Sequence, residues 1–127
     1  MGGGARVEVR MRVLIVDDNA LIRRMLRAVL EEEGLECREA SDVASAVAAL
    51  RESPPDLCFL DQNLPDGDGL SILRVARAAT GWAKTRFILL TGSDEEGFST
   101  RARELGARGV LFKPVTPEQL LLKVREP

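Results

Sequence analysis

Short apolar runs alternate along this chain with longer segments that have helical periodicity. Each run is a continuous stretch of aliphatic or aromatic residues, as in a parallel strand that is buried on both faces. The four clear runs span residues 13–16, 57–60, 87–90 and 110–112. A fifth run, at residues 35–40, is interrupted by charged residues, which is typical of an edge strand. Strands that alternate with helices form parallel sheets, so the pattern predicts an α/β domain with five strands and five helices.

Residue types that start and stop helices divide the chain between these runs. Gly34 can end the first helix in a left-handed conformation, and Ser41 is placed to cap the start of the second. Residues 116–119, Thr-Pro-Glu-Gln, have the spacing of a capping box for the fifth helix. We assign residues 11–127 to one domain and expect the glycine-rich residues 1–10 to be a flexible leader, either native or left over from cloning.

Composition excludes several classes of function. The chain contains no histidine, so it cannot build a histidine-based catalytic triad or a histidine-ligated zinc site. In a phosphoryl relay this chain can therefore only receive the group, because it has no histidine that could serve as the donor. The formal net charge is -2 and aromatic residues make up 4% of the chain, so direct contact with nucleic acid is not expected.

Cysteine usage and hydropathy indicate the cellular setting. Cys37 and Cys58 are too few for a disulfide framework and too far apart for a paired metal or redox motif, which favours reduced thiols. No apolar run approaches the length of a membrane span. We therefore expect a cytoplasmic protein without membrane contact.

Polar residues stand directly after four of the predicted strands. In chain order they are Asp17, Asp18, Asp61, Thr91 and Lys113. A single Asp after a strand is usually a turn or helix-capping residue. The carboxyl ends of parallel strands, however, meet at the edge of the sheet where such folds bind ligands. Five polar residues at four strand ends therefore predict one shared site.

Three carboxylates brought together repel one another and need a compensating cation. Lys113 supplies only one positive charge, so we expect a divalent ion, and Mg²⁺ suits carboxylates combined with waters and a phosphate. Asp61 is the best candidate for a nucleophile toward phosphorus, because Asp17 and Asp18 form an adjacent pair suited to holding metal. Thr91 and Lys113 would then neutralise charge on the phosphoryl oxygens.

Four motifs resemble those of the receiver domain of response regulators in two-component signalling, of the chemotaxis type. They are Val-Asp-Asp-Asn at 16–19, Asp-Gln-Asn-Leu-Pro-Asp-Gly-Asp-Gly at 61–69, Leu-Thr-Gly at 90–92, and Gly-Ala-Arg-Gly at 106–109 leading to Phe-Lys-Pro at 112–114. The resemblance extends from about residue 12 to the C-terminus. It implies a three-layer, flavodoxin-like (βα)5 fold with a parallel five-stranded sheet in the order 2-1-3-4-5.

By the same resemblance, Asp61 would be the residue that is phosphorylated. Asp18, Asp61 and the carbonyl oxygen of Asn63 would hold Mg²⁺, and Asp17 would act on the ion mainly through water. Asn63 and Ser93 would tune the attack of water that removes the phosphoryl group.

The resemblance also implies roles at the ends of the last two strands. Thr91 and Lys113 would contact the phosphoryl group, and the peptide bond before Pro114 would be cis. The implied function is a phospho-aspartate switch that accepts a phosphoryl group from a partner histidine kinase or histidine phosphotransfer protein and acts on a downstream protein. Such a domain is not an enzyme in the usual sense, because it catalyses only its own phosphorylation and slow dephosphorylation.

Some residues depart from the family pattern or lie outside it. Relatives usually carry Tyr or Phe at the switch position that moves with Thr91, whereas this chain has Val110, so the usual coupling to output is in question. Gln62 stands where an apolar residue is commoner and is expected to be a solvated loop residue. Trp82 is expected in an exposed loop. The arginines of the first helix, among them Arg23, are expected to be solvated, with docking of an acidic partner as the alternative.

Two other functions remain open. A phosphohydrolase of the haloacid dehalogenase type also uses Asp, Thr or Ser, Lys and Mg²⁺ on a parallel sheet. Its motif needs a second Asp where this chain has Asn19, and an acidic pair after the lysine, where only Glu118 and Glu126 remain. The other function is that of a scaffold with the receiver fold that is not phosphorylated, which Val110 favours. Turnover of phosphomonoesters would support the first function, and failure to bind Mg²⁺ would support the second.

Overall fold

The computed structural model describes residues 10–92 and 97–126. The predicted leader, apart from its last residue, and Ser93 lie outside the described residues.

The centre of the fold is a parallel sheet of five strands. These are β1 (Arg12–Val16), β2 (Glu36–Ala40), β3 (Leu57–Asp61), β6 (Arg86–Thr91) and β7 (Gly109–Phe112). The two remaining strands, β4 (Asn63–Leu64) and β5 (Gly67–Asp68), form a separate antiparallel hairpin directly after β3. The order across the sheet is β2-β1-β3-β6-β7, and all four pairings are parallel. With the hairpin set aside this is the order 2-1-3-4-5, so the predicted topology is confirmed.

Helices cover both faces of the sheet and produce three layers. They are α1 (Ala20–Glu32), α2 (Val43–Glu52), α3 (Gly69–Ala78), α4 (Phe98–Glu104) and α5 (Pro117–Arg125). One hydrophobic cluster contains residues of α2, α3 and α4, and a second contains residues of α1 and α5. Successive β1 residues alternate between the clusters: Leu14 packs in the first and Val13 in the second. Both faces of the central strands are therefore buried, which explains their continuous apolar runs.

The helix boundaries follow the predicted signals with one correction. Gly34 has a φ of 84° just beyond the end of α1, and the Thr116 side chain accepts a hydrogen bond from the Gln119 N–H at the start of α5, both as predicted. The prediction that Ser41 caps α2 is wrong, because Asp42 is the capping residue. Its carboxylate accepts a hydrogen bond from the Ser45 N–H at 2.7 Å.

Trp82 is buried, contrary to the expectation of an exposed loop. It lies in a single turn of 3-10 helix after α3 and packs in the cluster beneath α2, α3 and α4, with 5% of its surface exposed. The prediction relied on the two neighbours of Trp82. Gly81 and Ala83 are indeed exposed, but the side chain between them is buried. Among the described residues, the helices are all too short or too polar to cross a membrane.

Gly69 lies where α3 starts against the end of β3, and it leaves no room for a side chain. A Cβ at this position would lie 2.7 Å from Leu89 Cδ1 and 2.9 Å from the backbone oxygen of Asp61. We expect Gly69→Ala to lower the free energy of unfolding by about 2 kcal/mol, because the neighbouring backbone must move. Urea denaturation followed by circular dichroism measures the change.

Gly81→Ala is the matched control, because a Cβ there meets nothing within 4 Å. We expect this substitution to leave stability unchanged or to raise it by up to about 1 kcal/mol. Equal stability of the two variants would contradict the close approach of α3 to β3.

Candidate functional site

The polar residues predicted from the strand ends do meet at one edge of the sheet. Asp17 follows β1, Asp61 is the last residue of β3, and Lys113 follows β7. Asp17 and Asp61 are buried, whereas Asp18 is exposed beside them. One carboxylate oxygen from each of these three acids lies within 4.8 Å of the others. The parallel sheet therefore concentrates three acidic groups in one small volume.

Lys113 places its ammonium group between two of the carboxylates. Its Nζ is 2.9 Å from Asp17 Oδ2 and 3.2 Å from Asp61 Oδ1. The lysine side chain is 24% exposed, so these contacts are only partly screened by solvent. The cluster thus contains three carboxylates and one ammonium group, so the site carries an excess of negative charge.

This arrangement shifts the pKa of both Asp61 and Lys113. Burial raises the pKa of Asp61 above its ordinary value, and the charge of Asp17 raises it further, against a smaller opposing effect of Lys113. Burial alone would lower the pKa of Lys113, but its hydrogen bond to Asp17 and the charge of Asp61 together raise it. The lysine therefore stays positively charged at neutral pH, while ionisation of Asp61 is disfavoured.

Backbone groups fix the orientation of the two buried acids. The Asn19 N–H donates to Asp17 Oδ1 at 2.9 Å, and the Asn63 N–H approaches Asp61 Oδ1 at 3.4 Å. Asn63 opens the β4–β5 hairpin, so the hairpin brings its backbone next to Asp61. Asn19 also caps α1 with its side chain, which accepts from the N–H groups of Leu21 and Ile22.

The ends of β6 and β7 complete the site. Thr91 is the last residue of β6 and is 2% exposed. The Lys113 N–H donates to the carbonyl oxygen of Thr91 at 2.8 Å, which joins the two strand ends. The Lys113–Pro114 peptide bond is cis, the isomer expected from the resemblance. Val110 lies within β7 and packs, half-buried, against the cluster beneath α2, α3 and α4.

Gln62 is part of the site's framework, whereas it was expected to be a solvated loop residue. Its N–H donates to the carbonyl oxygen of Leu90 at 2.8 Å. Its carbonyl oxygen accepts from the Gly69 N–H at 3.0 Å, and its side-chain Oε1 accepts from the Leu70 N–H at 3.2 Å. The residue after Asp61 therefore ties β3 to β6 and to the first turn of α3. Its position next to Asp61 was the available signal in the sequence.

Arg23 also contacts the site, although its helix face was expected to be solvated. Its Nη1 donates to the carbonyl oxygen of Asp17 at 2.6 Å, and its Nε donates to Glu39 Oε1 at 3.0 Å. Glu39 belongs to β2, 16 residues further along the chain. No local sequence pattern predicts the contact between Arg23 and Glu39, because it depends on the pairing of β1 with β2.

The donor atoms of the site suit Mg²⁺. Asp17, Asp18 and Asp61 offer carboxylate oxygens, the hard ligands that this ion prefers, and Cys37 and Cys58 lie in the core away from them. Asp18 is exposed, so the site is open to solvent on one side and leaves room for the waters that Mg²⁺ retains.

Comparison with known proteins identifies sequence relatives along nearly the whole chain. A family model of the response regulator receiver domain matches residues 13–125. The phosphate regulon transcriptional regulatory protein PhoB of Klebsiella pneumoniae is 37% identical over 114 residues, which cover 90% of this chain and 50% of PhoB. The DNA-binding response regulator MtrA of Mycobacterium tuberculosis is 36% identical over 117 residues, 92% of this chain and 50% of MtrA. The chain thus spans about half the length of these curated relatives.

Solved structures agree with the sequence relatives. A CheY-like receiver domain protein from Methanospirillum hungatei has a TM-score of 0.86 and 30% identity, covering 92% of each chain. The chemotaxis response regulator CheY4 of Vibrio cholerae also has a TM-score of 0.86, with 29% identity over 92% of this chain and 98% of CheY4.

The raised pKa of Asp61 predicts how its substitution affects stability at different pH values. A carboxyl whose pKa is raised on folding loses stability as the pH rises through that pKa, so in the metal-free protein at pH 7 Asp61→Asn should be more stable than the wild type. At pH 3.5, below the ordinary aspartate pKa of 3.8, the carboxyl is mostly neutral in both folded and unfolded chains, so most of this advantage should be lost.

Urea denaturation of both proteins with a chelator present, at pH 7 and at pH 3.5, measures the difference. The difference between the two proteins cancels those titrating groups that do not interact with Asp61. A variant less stable than the wild type at pH 7 would show that Lys113 outweighs burial at Asp61.

Proposed function

Because the chain belongs to the response regulator receiver domain family, we propose that it is a phospho-aspartate signalling switch whose phosphoacceptor is Asp61. The observation that carries the proposal is the position of the Asp61 carboxylate. It ends a central strand, lies 3.2 Å from the ammonium group of Lys113, and shares a cluster with Asp17 and Asp18.

Phosphoryl transfer needs an oxygen nucleophile and positive charge around the transferring group. An oxygen of Asp61 forms a bond to phosphorus while the bond from phosphorus to the donor's imidazole nitrogen breaks, and the electron pair leaves with the imidazole. Lys113 and the Thr91 hydroxyl then contact the phosphoryl oxygens and stabilise their charge. Mg²⁺, held by Asp18, Asp61 and the carbonyl oxygen of Asn63, with Asp17 acting through water, would supply further neutralisation of that charge.

The phosphoryl donor is a phosphohistidine of another protein. The chain has no histidine of its own, so it cannot pass a phosphoryl group between two of its residues by that route. Partner histidine kinases and histidine phosphotransfer proteins carry the group in that form. Relatives named as transcriptional or DNA-binding regulators are about twice as long as the matched region, and we assign the residues matched here to signal reception.

The switch acts through contacts that exist only when Asp61 is phosphorylated. A phosphoryl group adds negative charge that Thr91 and Lys113 can hold, and only conformations that differ in those contacts change in population. The surface near α4 follows the end of β6 and is the part that responds. Val110 is aliphatic and packs, half-buried, against the core, so the response does not use an aromatic side chain at that position.

The structure favours this function over a phosphohydrolase of the haloacid dehalogenase type. That alternative needs a catalytic acid where this chain has Asn19. The Asn19 side chain instead accepts hydrogen bonds from two backbone N–H groups and caps α1. An unphosphorylated scaffold would not require three acids to converge around one lysine.

Incubation with Mg²⁺ and acetyl phosphate is expected to add one phosphoryl group to the wild-type chain. The same treatment should leave Asp61→Asn unmodified, because the amide is not a nucleophile toward phosphorus. Intact-protein mass spectrometry measures the adduct. Asp56→Asn is the control, since Asp56 lies near the other end of β3 and should not affect labelling. An unmodified wild type, or equal labelling of Asp61→Asn, would refute the assignment.

Asp18→Asn tests the metal-holding acids without disturbing the core, because Asp18 is exposed. We expect Mg²⁺ affinity to fall by more than about 10-fold, since loss of a ligand should exceed the effect of an outer contact. Isothermal titration calorimetry measures the affinity. Glu36→Gln removes an exposed acid at the start of β2, the end of that strand away from the acidic cluster. This variant should bind Mg²⁺ as the wild type does. Equal loss in both variants would mean that Mg²⁺ responds only to net charge.

A further inference from the structure

Arg23 joins three elements next to the acidic cluster. It stands on the first turn of α1, donates from Nη1 to the carbonyl oxygen of Asp17 at 2.6 Å, and donates from Nε to Glu39 of β2 at 3.0 Å. The arginine side chain is 17% exposed and the side chain of the exposed Glu39 is 26% exposed, so the pair lies at the surface and is partly shielded from solvent. A guanidinium group suits this position because its planar fork can donate to two acceptors at once.

The carbonyl oxygen that Arg23 holds belongs to the peptide bond between Asp17 and Asp18. The orientation of that peptide plane sets the directions in which the two carboxylates leave the backbone. The Asn19 N–H and Lys113 Nζ hold the carboxylate oxygens of the same residue, Asp17. Asp18 is exposed, so its direction depends mainly on the backbone.

Glu39 keeps the arginine in place and balances its charge. The glutamate accepts from Arg23 and also from Arg27 Nη1 at 2.8 Å, and Arg27 in turn contacts Glu31. The two arginines and two glutamates form a network with no net charge. These contacts lower the pKa of Glu39, chiefly through its hydrogen bond from Arg27, so the glutamate stays ionised.

We propose that Arg23, anchored by Glu39, is a positioning residue that holds the Asp17–Asp18 peptide in the orientation required for Mg²⁺ binding. The inference rests on the proposed function, because it assigns Mg²⁺ to the acidic cluster. A positioning role and a purely electrostatic effect of Arg23 predict opposite changes in Mg²⁺ affinity when the residue is replaced. Arg23 is a cation beside a cation site, so Coulomb repulsion alone would make its removal strengthen Mg²⁺ binding. A positioning role makes its removal weaken binding.

Calorimetric titration of the unphosphorylated chain with Mg²⁺ tests the proposal directly. Arg23→Gln should raise the Kd for Mg²⁺ about 10-fold, the size of effect found for residues that orient metal ligands. Arg23→Lys should also raise the Kd although it keeps the charge, because an ammonium group cannot reproduce the two-armed contact. An unchanged or lower Kd in Arg23→Gln would overturn the proposal.

Arg27→Gln is the matched control, since Arg27 is one turn further along α1 and contacts the same Glu39 but not Asp17. Its Kd should stay within about twofold of the wild type, because it removes only two surface ion pairs. Equal weakening in Arg27→Gln and Arg23→Gln would show that the network acts only through general stability. Should Arg23→Gln fail to fold by circular dichroism, Arg23→Lys carries the test, because it keeps the charge and must still raise the Kd more than Arg27→Gln does.

Phosphorylation kinetics supply a second readout. With acetyl phosphate as donor, Arg23→Gln should shift the half-saturating Mg²⁺ concentration by the same factor as the Kd and change the rate at saturating Mg²⁺ far less. A loss confined to the saturating rate would overturn the positioning role. A wild type that binds Mg²⁺ but takes up no phosphoryl group would refute the proposed function alone, whereas a wild type that binds no Mg²⁺ would overturn both.

Discussion

Repulsion among the carboxylates at the strand ends is the constraint around which this structure is organised. Asp17 and Asp61 are buried within reach of each other and of Asp18, and the Lys113 ammonium group bridges the two buried acids. A single positive charge does not balance three negative ones, and burial, together with the charge of Asp17, raises the pKa of Asp61. The site is thereby prepared to accept further positive charge.

The sheet keeps these repelling groups together. The acids extend from the ends of β1 and β3, whose apolar residues are buried on both faces, so the carboxylates cannot separate without moving the core. The contacts of Gln62 to β6 and to α3 and the tight fit of Gly69 against β3 fix the end of the central strand. Packing of the hydrophobic clusters thus holds the carboxylates together against their mutual repulsion.

Much of the fold could be predicted because its signals are local. Continuous apolar runs marked the central strands, and Gly34 and Thr116 marked helix ends through conformation and capping. Where two neighbouring residues could both serve, the local signal failed: Asp42 and not Ser41 caps α2. Trp82 was misplaced because its neighbours are polar or small, while its ring reaches a core formed by distant helices.

Strand periodicity and residue type are properties of short segments, so the parallel α/β architecture and the acids and lysine at its strand ends follow from the sequence alone. The folded chain sets the distances between those groups, the bridging position of Lys113, and the contacts of Gln62 and Arg23. Those contacts join residues from separate strands and helices. They exist only after the sheet has assembled, because the pairing of β2 with β1 brings Glu39 to Arg23 and the pairing of β3 with β6 brings Leu90 to Gln62.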